Sequence, residues 1–99
     1  MNKDAKILDL FRKIICSLLC IIKNTKNDNL KKEASYYLDY YLKQYELYNN
    51  KGIYSLNNLE NVVNFCNQCY EDKDVFDYAE DVEYGVKELN EINIFKGGF

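Results

Sequence analysis

From Asn29 to Tyr48 the residues Leu30, Ala34, Tyr37, Leu38, Tyr41, Tyr45 and Tyr48 recur at spacings of three and four, and the charged residues fall mostly between them. That period predicts an amphipathic helix whose aromatic face must be covered by other helices. Three further stripes supply the cover. Ile7, Phe11, Ile14, Ile15, Leu18, Ile21 and Ile22 mark a first helix over residues 4 to 23, with Asp4 as its expected N-cap. Leu59, Val62, Val63, Cys66, Cys69 and Tyr70 mark a third, capped by Ser55, and Val75, Ala79, Val82, Val86 and Leu89 a fourth, capped by Asp74 with Asp77 three positions on.

The punctuation between the stripes agrees with this division. Asn24 to Asn29 is a polar turn in which Asp28 or Asn27 can cap the second helix, and its shortness makes the first two helices antiparallel neighbours. Asn49-Asn50-Lys51-Gly52 supplies the left-handed residue that commonly ends a helix, and Glu71 to Lys73 form the third turn. The predicted architecture is all-α: an antiparallel four-helix bundle with a short C-terminal tail, forming one domain over residues 1–99. Gly85, inside the fourth helix, marks either a close approach of another helix or a bend.

Composition sharpens the class. Pro is absent, only four residues are Gly, and 47% are hydrophobic, which suits long helices around one modest core. His is absent too, removing the commonest general base and metal ligand; with no Gly-rich phosphate loop and no nucleophile and base pair, an enzyme is not expected. No cofactor and no metal are expected. Cys16, Cys20, Cys66 and Cys69 could suggest a zinc site or, in Cys66-Asn67-Gln68-Cys69, a redox motif. Both pairs lie within amphipathic helices, so the expectation is buried, reduced thiols in a cytoplasmic protein.

Residues 1 to 50 carry nine Lys or Arg against six acids, and residues 51 to 99 carry four against ten. A net charge of −3 argues against nucleic acid as a partner, while a basic partner for the second half stays open. The acids at the start of the fourth helix complement its dipole or form a docking face. The run Ile14 to Ile22 is too short to span a bilayer, which takes about 20 apolar residues, and Asp4 and Asp9 do not suit a signal peptide; no integral membrane segment is expected. Tyr36 and Tyr40, off the main stripe, pack at its margin or form a recognition patch.

The ending KELNEINIFKGGF is the most distinctive stretch. Leu89, Ile92 and Phe95 continue the fourth stripe at threes, and Lys96, Gly97 and Gly98 are expected to loosen the backbone before Phe99. Phe95 and Phe99 either fold back on the bundle or anchor a partner.

The four-helix pattern, the segment Asn29 to Glu46 and the ending Leu89-x-x-Ile92-x-x-Phe95-x-x-Gly98-Phe99 together resemble the immunity proteins of pediocin-like (class IIa) bacteriocins, the enterocin A immunity family. The resemblance implies a cytoplasmic, non-enzymatic bundle that protects a producer cell from its own antimicrobial peptide. It would act at the inner side of the membrane receptor, the mannose phosphotransferase permease with bacteriocin bound, and associate with the membrane only through that partner. Specificity would lie in the C-terminal half, here Ile92, Ile94, Phe95, Lys96 and Phe99. Two alternatives belong to other classes: an immunity protein that neutralises a basic nuclease toxin through Asp77, Glu80, Asp81 and Glu83, and a homo-oligomeric scaffold that uses the surplus aromatics.

Overall fold

The computed structural model describes the backbone of residues 3–97 and the side chains of residues 4–93. Four helices follow in order: α1 Lys3–Asn24, α2 Asp28–Lys51, α3 Leu59–Cys69 and α4 Phe76–Gly97. They form an antiparallel bundle in which each helix packs against its two neighbours around the ring. Three of the helices have 22 to 24 residues, about 33 to 36 Å at 1.5 Å per residue, so they lie along the 41 Å axis of the molecule.

The sequence stripes become the core. Ile7, Phe11, Ile14, Leu18 and Ile21, at alternating four and three spacing, are fully buried on α1, as are Val62, Cys66 and Cys69 on α3 and Ala79, Val82, Val86 and Leu89 on α4. Phe65, adjacent to the predicted α3 stripe, is also fully buried and sets its ring 5.4 Å from that of Tyr37 on α2. Tyr41 is the largest fully buried side chain, and its hydroxyl reaches Asn58 at 3.4 Å.

Gly85 resolves as a close approach. A Cβ at that position would stand 2.6 Å from Ile14 Cγ1, so the glycine lets α1 and α4 come together. Along the same seam Lys6 meets Glu88 at 3.5 Å and Lys13 meets Asp81 at 3.7 Å. Part of the charge asymmetry between the two halves of the chain is therefore satisfied internally. These exposed pairs contribute about 0 to 1 kcal/mol each.

Helix boundaries depart from expectation where tertiary bonds compete with capping. Asn27 caps α2 as expected, its side chain accepting from the backbone N–H of Asn29 and Leu30, and Gly52 ends α2 with φ 71° and a 2.8 Å bond to the Tyr48 carbonyl. Asp4 is not an N-cap: α1 already includes Lys3, and the Asp4 carboxylate accepts from the Tyr48 hydroxyl. Ser55 does not cap α3 because its backbone is held by α2, its N–H donating to Gln44 Oε1 and its carbonyl accepting from Tyr40. α3 instead starts after Asn58, which makes no side-chain cap bond. Asp74 does not cap α4 either: Asp72 organises the turn, taking the Asp74 N–H on its side chain and the Val75 N–H on its carbonyl, and the helix begins at Phe76. At the far end α4 stays helical through Gly97, so no loosening occurs at Lys96 or Gly97.

Candidate interaction surface

Of the predicted partner-binding residues, Ile92, Ile94, Phe95 and Lys96 lie at the end of α4, and the structure describes how that end is held. Tyr54, in the connection between α2 and α3, is buried, and its hydroxyl donates to the Leu89 carbonyl at 2.7 Å. The Asn93 side chain donates back to the Tyr54 carbonyl at 3.1 Å. Tyr54 also packs edge-on against Phe11 and Tyr48, which fixes its ring from the other side. Burial pushes the Tyr54 phenol up to about 12 from its ordinary 10.0, so it is a standing donor at neutral pH.

The clasp matters because of where α4 goes next. The register that pairs Lys6 with Glu88 and Lys13 with Asp81 sets Lys3 opposite Glu91. Residues 92 to 97 thus carry α4 past the described start of α1. Of the predicted residues, Ile92 is half-buried and packs on the core. The side chains of Ile94, Phe95 and Lys96, and all of Phe99, lie outside the described residues. Nothing in the spacing of the chain marks Tyr54 as the residue that holds this end; it is one of three large apolar side chains in the connection, with Ile53 and Leu56.

A second surface lies on the outer side of α4. Phe76, Glu80, Glu83, Tyr84 and Lys87 fall on one stripe of the helix and, with Tyr70 from the end of α3, line an open depression of about 500 Å³. Phe76 and Tyr84 are 41% and 54% exposed, unusual for large apolar rings, and the Phe76 ring lies 5.1 Å from that of Tyr70. The Tyr70 hydroxyl donates to Glu83 at 2.5 Å and Lys87 donates to the other carboxylate oxygen at 2.6 Å. Both bonds lower the Glu83 pKa, Lys87 contributing most, and burial with the same carboxylate raises that of Tyr70. The Phe76-x-x-x-Glu80-x-x-x-Tyr84 spacing was legible in the chain but falls outside its buried stripe.

The four acids considered as a docking face on α4 divide by role. Glu83 is half-buried and bonded to Tyr70 and Lys87, and Asp81 faces Lys13; Asp77 and Glu80 are exposed without an ionic partner among the described residues. Tyr40 uses its hydroxyl to bind Ser55 and Asn57, whereas Tyr36 is exposed.

The cysteines also divide, correcting the expectation that all four are buried. Cys66 and Cys69 are buried, and burial pushes both thiols up, Cys69 to about 12. Cys16 is exposed and Cys20 half-buried, because the α1 stripe is narrower than its run of apolar residues. Among the described residues no group of three or more His, Cys, Asp or Glu could hold a metal ion, and no helix is long and apolar enough to cross a membrane. No family model, curated protein or solved structure matches this chain.

Proposed function

We propose that this protein is a non-enzymatic bacteriocin immunity protein, acting from the cytoplasm at a membrane receptor, the mannose phosphotransferase permease, with its bacteriocin bound. The observation that carries this reading is the Tyr54 clasp. It fixes α4 at Leu89 and Asn93, so the backbone of residues 94 to 97 continues the helix in a set direction. In this reading Ile92 joins the end of α4 to the core, and Ile94, Phe95, Lys96 and Phe99 make the contact. Apolar anchors of this kind concentrate binding energy in a few side chains.

The test is protection of a sensitive host expressing the chain. Phe95→Ala and Phe99→Ala should each raise sensitivity to the bacteriocin at least tenfold while the purified variants keep the helicity and melting temperature of the parent. Full protection by the double variant would refute the assignment.

A further inference from the structure

The outer stripe of α4 carries an inference of its own, independent of the immunity reading. On the α1 side of α4 the chain shows how it recognises a cation: the Lys13 ammonium lies 5.5 Å from the centre of the Tyr84 ring while facing Asp81 at 3.7 Å. Aromatic face and carboxylate together hold one positive charge. Phe76, two turns before Tyr84, and Glu80, one turn before it, offer the same two kinds of group, with Asp77 next to Phe76 in the chain, and among the described residues no Lys or Arg pairs with either acid. Lys87 is occupied by Glu83, so the uncompensated charge of the depression sits at Glu80, which lines it together with the adjacent Phe76 and Tyr70 rings.

We infer that the depression formed by Tyr70, Phe76, Glu80 and Tyr84 is a docking site for an arginine-bearing basic segment of a partner protein. Charge complementarity selects a cation, and the exposed rings favour a planar one: the Lys13 ammonium meets ring and carboxylate as a point charge, whereas a guanidinium adds flat stacking on the ring and a two-pronged N–H fork to the carboxylate. The stripe from Phe76 to Lys87 spans about 16 Å of helix, long enough for several residues of such a segment.

The full-length protein titrated with an eight-residue arginine peptide, followed by calorimetry and by amide chemical shifts, tests the site. Saturable one-to-one binding is expected, with shifts concentrated at Tyr70, Phe76, Glu80 and Tyr84 and at least threefold weaker binding of the eight-residue lysine peptide. Glu80→Lys and Phe76→Ala should each weaken binding at least tenfold. Asp39→Lys, on the exposed face of α2, should leave it within twofold. Glu80 is exposed, so Glu80→Lys reports even if Phe76→Ala melts early. Equal losses for Glu80→Lys and Asp39→Lys would reduce the site to general electrostatics and overturn the inference. So would equal affinity for the two peptides, or a dimer of the protein alone that these α4 substitutions dissolve. Because the site ends at Lys87, its failure would leave the role of residues 92 to 99 untouched, and failure of that role would leave this site intact.

Discussion

Gly85 sets the distance between α1 and α4. Alanine there would gain about 1 kcal/mol of helix propensity, but its Cβ would drive into a fully buried, β-branched Ile14, and overpacking of that kind costs about 1 to 3 kcal/mol. Urea denaturation of Gly85→Ala should therefore show a net loss of roughly 1 kcal/mol. In an Ile14→Ala background the same substitution should become stabilising, since the obstructing atoms are gone. The thiols give a second test at this scale. Cys16 should react rapidly with a thiol reagent in the folded protein, Cys20 more slowly, and Cys66 and Cys69 only after unfolding.

Among the elements, the least regular one does the most positioning. The connection from Gly52 to Asn58 binds α2 through Tyr40 and Gln44 and α4 through Tyr54. Tyr54→Phe should cost about 1 kcal/mol and speed amide exchange over the last turns of α4, while exchange in α1 stays unchanged at matched stability. The helices themselves were legible because Ile7 to Ile21, Val62 to Cys69 and Ala79 to Leu89 keep a helical period that nothing else in the chain contradicts. Asn27 and Gly52 were legible because their capping is local. Ser55 misled for the opposite reason: it has the right side chain for a cap, but its backbone is held by α2, a bond that sequence spacing does not encode. Asp74 was displaced by a local rival, Asp72, which takes the N–H groups of the turn and is itself fixed by Thr25 from across the bundle. Phe76 and Tyr84 do not stand out as a surface in the chain because no other helix among the described residues covers the outer stripe of α4 and imposes a period on it.

For the molecule as a whole, polar bonds tie both ends of the bundle. Thr25 donates to Asp72 at 2.7 Å at one end; Tyr48 with Asp4 and Tyr54 with Leu89 close the other. Burial raises Tyr48 and Tyr54 to about 12 from 10.0, and Cys69 to about 12 from 9.0. A group whose folded pKa is raised favours folding fully below its unfolded value, and that contribution is lost as pH climbs towards the folded one. Stability should accordingly be insensitive to these groups up to about pH 9 and fall between about pH 9 and 12. Tyr54→Phe should make that decline shallower, which denaturant melts across the range would register. The same ties hold α4 where it runs on beyond the described start of α1, and the proposed protective activity depends on its last residues. Truncation after Asn93 keeps both hydrogen bonds of the clasp, with Ile92 still on the core, and removes Ile94, Phe95, Lys96 and Phe99, the residues proposed to make the contact. Protection of a sensitive host by the truncated chain, measured beside its thermal melt, is the most direct test: the account predicts an intact cooperative melt with protection lost, and a truncated chain that still protects fully would contradict it.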